Sequence, residues 1–211
     1  MIITISGNPG SGKSTIAKYV TEKLNLKRIY VGDIRRKIAL NKGITLEELN
    51  KISLNNPDYD VKIDNDVKKQ VIELAKENNV IVEGRIQFYF FPQSLKFYFY
   101  CDPKIAAERI WNDIQQGKRE SEKFQSYEQV LKSINDRELN DAERYIKYYN
   151  IDPRDQNNYD IIIDTTNLNV EQVLKMSLEK IQNYLDEETK KWALKIKILL
   201  VWIIQASLRK E

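Results

Sequence analysis

The residues Gly7-Asn8-Pro9-Gly10-Ser11-Gly12-Lys13-Ser14 have the spacing G-x-x-x-x-G-K-[ST], and Thr15 follows directly. Glycines at that spacing let consecutive backbone N–H groups converge on one concavity, Lys13 can reach β- and γ-phosphates, and the Ser14 hydroxyl can ligate Mg2+. Each charge-assisted hydrogen bond contributes about 1.5–3 kcal/mol, so several together hold a polyphosphate. A bare turn has no use for Gly12-Lys13-Ser14 in that order. A second set of residues is cationic: Arg36, Arg85, Arg109, Arg137 and Arg144 each follow an expected strand or lie on an expected helix. Fixed guanidinium forks neutralise phosphate oxygens without any proton transfer. Arg137, Asp141 and Arg144 recur at i, i+4 and i+7 and so share one helix face, where the plainer alternative is a salt-bridge ladder contributing a few tenths of a kcal/mol. Among the acids, Glu83 ends an apolar run, Val80-Ile81-Val82. A carboxylate buried there needs a cation or a metal ion, because leaving it alone would cost several kcal/mol.

What is missing excludes other chemistry. The chain has 211 residues and no histidine, so a Ser-His-Asp triad, a histidine-ligated metal and a histidine general base are ruled out. Cys101 is the single cysteine, which removes internal disulfides and thiolate zinc clusters and suits a reducing cytosol; ending the apolar run 95–101, it reads as a small buried hydrophobe. Lys and Arg number 34 against 31 Asp and Glu, a net charge of +3 with no clustered excess, so no nucleic-acid partner is expected. No basic region precedes a long apolar stretch at the start, so residues 1–6 are expected to form a strand rather than a secretory signal, and the protein to be cytoplasmic. The paired Asn/Thr-Lys-x-Asp and Asp-x-x-Gly signatures of GTPase switches do not occur.

These groups must be held by regular elements. Residues 1–6 read as a strand running into the glycine loop, and 14–24 carry helical spacing at Ile16, Tyr19, Val20 and Leu24. A second strand is expected over 27–31, followed by a helix opened by Gly32-Asp33, with Asp33 a good N-cap. Thr45-Leu46-Glu47-Glu48 is a capping box for a short helix. Residues 61–78 form an amphipathic helix leading into the strand 80–83. A strand over 95–101, a helix from Asp102-Pro103, a polar stretch at 115–125, a long helix from Ser126 to 149, a strand over 159–164 and a helix over 169–185 complete the pattern. Strands alternating with helices imply a three-layer α/β fold, a parallel sheet of about five strands flanked by helices, with the active cleft at the carboxyl ends of the strands. Over 192–206 the continuous apolar run is only seven residues, against about 20 for a membrane span. It is expected to be a helix docked on the core or a second subunit, with a membrane-surface helix as the alternative.

Taken in order, the loop at 7–14, Gly32-Asp33-x-x-Arg36, Glu83-Gly84-Arg85, Arg109, Arg137-Glu-x-x-Asp141-x-x-Arg144-Tyr145, Tyr149-Asn-Ile-Asp152 and Tyr159-Asp-x-x-x-Asp-Thr165 resemble a nucleoside monophosphate kinase. The resemblance is greatest to cytidylate kinases of the archaeal, short-lid type and covers about residues 1–185. It implies a P-loop kinase that moves a phosphoryl group from MgATP to CMP or dCMP, with Mg2+ as cofactor, ATP and CMP/dCMP as partners, and a monomer or weak dimer. By the same resemblance residues 7–15 and Arg109 bind ATP, with Arg109 stacking on the adenine. Ser14 and Glu83 hold the metal ion. Asp33, Arg36, Asp64, Arg85 and Asp141 bind the acceptor, and Lys13, Arg137 and Arg144 serve catalysis. It further implies one domain over 1–185, with an acceptor-binding insert at about 33–75 and a lid at about 112–128, leaving 186–211 as a helical extension of unknown role.

Three positions depart from the pattern. Asp113 stands where an arginine is usual, so Lys118 or Arg119 would have to serve as lid cation. In Asp60-x-x-Ile63-Asp64 the arginines that usually follow are replaced by Asn65 and Asp66, so the base-reading pocket is only partly matched, and the tail has no counterpart. The alternatives are an adenylate or other nucleotide kinase, a kinase of a non-nucleotide alcohol such as shikimate or gluconate with Asp33 as base, and a non-catalytic, membrane-associated ATP-binding module.

Overall fold

The computed structural model describes residues 1–119 and 124–208, so residues 120–123 of the expected lid lie outside the described residues. Five strands, β1 (Ile2–Gly7), β2 (Lys27–Tyr30), β3 (Val80–Glu83), β4 (Leu95–Tyr100) and β5 (Ile161–Asp164), form one sheet in the order β2-β3-β1-β4-β5. Every pairing is parallel, as the strand–helix alternation predicts. The central strands β1, β3 and β4 read as nearly continuous apolar runs because both their faces are covered. Ile3, Ile5, Ile81, Phe97 and Phe99 are all buried. The sheet order reverses at β1, whose neighbours are β3 on one side and β4 on the other, and that reversal opens a crevice beyond its carboxyl end.

The helices are α1 (Lys13–Leu24), α2 (Val31–Asn41), α3 (Leu46–Asn55), α4 (Pro57–Leu74), α5 (Gln87–Phe90), α6 (Pro103–Gln115), α7 (Tyr127–Tyr149) and α8 (Val170–Leu208). Several begin where their side chains dictate. Thr45 and Glu48 form the reciprocal capping box of α3, Asp102 accepts from the first N–H groups of α6 with Pro103 at its start, and Ser126 caps α7. Asn25 and Asn150 end α1 and α7 in the left-handed conformation, at φ 49° and 54°. On one side of the sheet, Val67 and Val71 of α4 pack on Ile29, Val80 and Val82. In a second cluster Ala106, Ala107 and Ile110 of α6 meet Val130 and Ile134 of α7, with Cys101 at its centre as the small buried hydrophobe expected.

Four details differ from the sequence reading. α4 starts at Pro57 and ends at Leu74. α2 starts at Val31, straight out of β2, so Asp33 sits in its first turn and is not its N-cap. The short α5, of sequence Gln-Phe-Tyr-Phe, carries no helical period. The helix expected to stop at 185 runs on unbroken to Leu208, because 170–208 contains no glycine or proline and Asp186-Glu-Glu-Thr-Lys-Lys191 is made largely of good helix formers.

The chain divides into two compact units, 1–174 and 175–211. In the first, α3 closes against α7, where the Tyr148 hydroxyl donates to the carbonyls of Ser53 (2.8 Å) and Leu54 (2.7 Å). The second is the remainder of α8, on which Trp192, Leu194, Ile196, Ile198 and Leu199 are exposed. Among the described residues no helix is long and apolar enough to cross a membrane.

Candidate active site

The carboxyl end of β1 opens into a cleft of about 540 Å3 within residues 1–174, lined by the glycine loop, α2, the segment after β3, α6 and α7. The loop is pinned from below. Asn8 Nδ2 donates to the Cys101 carbonyl (2.7 Å) while its Oδ1 accepts from the Cys101 N–H (3.0 Å), tying the loop to the end of β4. Its buried side chain is a peg, and neither Gly7 nor Asn8, both expected to bind ATP, is among the residues lining the cleft. At Gly10, φ is +77° and a Cβ would lie 2.7 Å from that of Ala106, so neither the conformation nor the space admits a side chain. Gly7, at φ +146°, has the Phe99 carbonyl where a Cβ would be.

Lys13 opens α1 inside the cleft, its Nζ donating to the Asn8 carbonyl (3.1 Å). Burial holds its pKa well below the usual lysine value, and the Arg85 guanidinium adds to that depression. Glu83, fully buried at the end of β3, has the partner its position demanded: Arg28 Nη2 forms an ion pair with it. Arg28 escaped the sequence reading, although the β2–β3 register puts its strand beside Glu83. The Ser14 hydroxyl donates to Glu83 and lies 3.2 Å from the Tyr30 hydroxyl. Serine and glutamate thus present two hard oxygen ligands side by side. That set fits Mg2+, which completes its shell with phosphate and water; among the described residues no cluster of three or more His, Cys, Asp or Glu could hold a metal alone.

Opposite the loop lies a buried chain of alternating charges. Arg85, just after β3, donates from Nη1 to the Gly7 carbonyl and from Nε to Asp141 Oδ2 (2.8 Å). Asp141 Oδ1 accepts from Arg144 Nη2 (2.8 Å), so the helix stripe is real and turned inward. Arg144 Nε then sits 2.6 Å from Asp60 Oδ2, and the other oxygen of Asp60 takes Arg35 Nη1. Burial opposes the Asp141 charge, but Arg85, Arg144 and Arg137 together hold its carboxyl well below the usual carboxylate range. Arg137 lines the same cleft.

The remaining expected residues divide. Arg36 lines the cleft with its guanidinium 4.8 Å from the Tyr30 ring centroid, a cation–π contact. Arg109 lines it too, and its Nη2 donates to the carbonyls of Thr165 (2.7 Å), Thr166 (3.1 Å) and Leu168 (3.3 Å). Those bonds fix the guanidinium. Asp113 recruits Arg119, whose Nε lies 3.3 Å from Asp113 Oδ2; both line the cleft, and Lys118 does not. Asp33 and Asp64 are placed elsewhere. Asp33 pairs with Lys37 (2.9 Å) near the surface, outside the cleft lining. Asp64, also outside it, is buried and accepts from the Tyr149 hydroxyl (2.7 Å); burial pushes its pKa up to about 6.

Comparison with known proteins agrees with this geometry. Residues 3–132 match the family model described as an AAA domain. The chain is 38% identical to the cytidylate kinase of Archaeoglobus fulgidus over 183 residues, which cover 86% of this chain and 95% of that protein. It is 35% identical to the cytidylate kinase of Methanocaldococcus jannaschii over 188 residues, 87% and 98% of the two chains. Among solved structures, an uncharacterized protein from Eubacterium ventriosum superposes with a TM-score of 0.61 at 17% identity, covering 86% of this chain and 98% of its own, which speaks to the fold alone.

Proposed function

The chain belongs to the cytidylate kinase family of P-loop kinases, and from that premise we propose that it transfers the γ-phosphoryl group of MgATP to CMP or dCMP, giving ADP and the nucleoside diphosphate. The observation that carries the reading is that a single cleft is lined both by the loop with Lys13 and by Arg36, Arg85, Arg137 and Arg144. Two polyanions brought together need both, since each would otherwise repel the other.

In this reading the backbone N–H groups of residues 10–15 and the amino end of α1 hold the β- and γ-phosphates of ATP. Lys13, whose pKa burial and Arg85 lower, has its charged form favoured by the arriving phosphates. Arg109 offers a flat face to the adenine. Ser14 and Glu83 would hold Mg2+, which, when bound, supplies charge neutralisation between the β- and γ-oxygens. The acceptor's phosphate lies against Arg36, Arg85 and Arg144, and Arg137 and Arg119 approach the transferring group. No general base is needed because the attacking oxygen is already anionic, and positioning with charge neutralisation lowers the barrier. The lid over 112–128 and the insert over 33–75 close on the substrates and exclude water. The place of action is the cytoplasm.

The test is ADP release from MgATP against CMP, dCMP, UMP, AMP and dTMP. CMP or dCMP should give a kcat/KM at least tenfold above the others. A preference for AMP would make it an adenylate kinase, and an ADP release rate indifferent to every acceptor would make it a nucleotide-binding module.

A further inference from the structure

Asp60 opens the segment Asp60-x-x-Ile63-Asp64 with no role of its own assigned, and Arg35 has none either, yet the two form a buried ion pair and Arg35 lines the cleft. Asp60 of α4 is 1% exposed and Arg35 of α2 is 8% exposed. One carboxylate oxygen of Asp60 takes Arg35 Nη1 and the other lies 2.6 Å from Nε of Arg144, which belongs to α7. Arg35 is fixed further by Nη2, which donates to Asn50 Oδ1 and Ser53 Oγ, both at 3.0 Å. Arg144 is fixed from its other side by Asp141. Arg35 is therefore held by a carboxylate and two small polar groups and Arg144 by two carboxylates, and each still has donors over: Arg35 Nε, and Arg144 Nη1 and Nε, are buried and make no hydrogen bond in the protein. Both residues line the cleft.

A fold alone gives no reason for this arrangement. Buried ion pairs are often no more stable than apolar residues of the same volume, and a buried donor without an acceptor costs about 1–3 kcal/mol. With Arg85 and Asp141 the chain holds three guanidiniums against two carboxylates, an excess of one positive charge. The arrangement is complete when a dianionic group with several acceptor oxygens meets the leftover donors.

We propose that Asp60 is the positioning residue of the acceptor side, clamping Arg35 and Arg144 from two different helices so that their leftover donors take the acceptor's phosphate, with Arg35 a phosphate-binding residue in its own right. This rests on the kinase reading and deepens it. The comparison that isolates the phosphate is CMP against cytidine, which carries the same base and sugar. In the full-length chain, inhibition constants and KM values are measured for wild type, Asp60→Asn and Arg35→Met. Asp60→Asn should raise the KM for CMP at least tenfold, leave the KM for ATP within twofold and leave the inhibition constant for cytidine within twofold. Arg35→Met should do the same, and Asp60→Asn added to it should raise the KM for CMP by less than threefold more. Equal weakening of CMP and cytidine, or an unchanged KM for CMP in a variant that still binds ATP, overturns the proposal. If Asp60→Asn does not fold, Arg35→Met decides alone by the same ratio. A wild-type enzyme that releases no ADP in response to CMP defeats the kinase reading instead, and is seen before any variant is made.

Discussion

The two walls of the cleft are built by opposite means. In the proposed reading the donor wall is one uninterrupted stretch, residues 7–15, in which backbone conformation shapes the cradle and the Lys13 and Ser14 side chains complete it. The acceptor wall is drawn from α2, α4, the segment after β3 and α7, and its work is done by five charged side chains that hold one another. Backbone recognition is local, so it survives the loss of any distant partner. Recognition by mutually supporting charges is cooperative, and removing one member leaves the others buried and unpaired.

The sharpest way to break that contrast is to remove one cation from each wall. Lys13→Ala and Arg144→Ala should each lower kcat/KM for CMP at least 100-fold, in the range for losing a preorganised charge contact. Only Arg144→Ala should also destabilise the fold, by about 3–5 kcal/mol in denaturant unfolding, because it strands Asp60 and Asp141. Equal stability of the two variants would mean the walls do not differ. Next, Gly10→Ala forces a Cβ against Ala106 at φ +77°. The KM for ATP should rise at least tenfold while the dissociation constant of CMP stays within twofold, since the damage remains in the loop.

Smaller effects come from titration. The pKa of Lys13 is lowered chiefly by burial and then by Arg85, and phosphates raise it again, so ATP binding should be accompanied by proton uptake at pH values between the two. Calorimetry in buffers of different ionisation enthalpy measures that uptake, and Lys13→Met should abolish it. Asp64 gives the smallest effect. Its native pKa of about 6 lies above the 3.8 of a free carboxyl, so its neutral form supports folding fully below about pH 4. That support is lost as pH rises through 6, by up to ~3 kcal/mol. Asp64→Asn should therefore lose less stability than wild type between pH 5 and pH 8, with thermal unfolding as the readout.

What could be read in advance follows the same division. The loop, the five strands, the capping box at Thr45 and the stripe Arg137-Asp141-Arg144 are local patterns, and each is where its spacing implies. Arg28 with Glu83 and Arg35 with Asp60 are pairings across 55 and 25 residues, which no local pattern announces. Arg35 looked like one charge in a basic turn, next to the more conspicuous Arg36. Asp33 and Asp64 stood out by their neighbours in sequence, but the helix starting at Val31 turns one toward Lys37, and burial beside Tyr149 keeps the other off the cleft. Helix α8 passes residue 186 because the stretch 170–208 holds no glycine or proline and is made largely of helix formers, a property of the whole stretch and not of any one motif in it.

The alternating chain from Arg35 to Arg85 also governs how this enzyme can be changed. In a library of single substitutions the loop's neighbours can be sampled one at a time, but Asp60, Asp141 and Arg144 each answer to two partners. Useful variants on that side will therefore appear as compensating pairs, and a screen limited to one replacement per gene will report the acceptor wall as immutable when it is merely coupled.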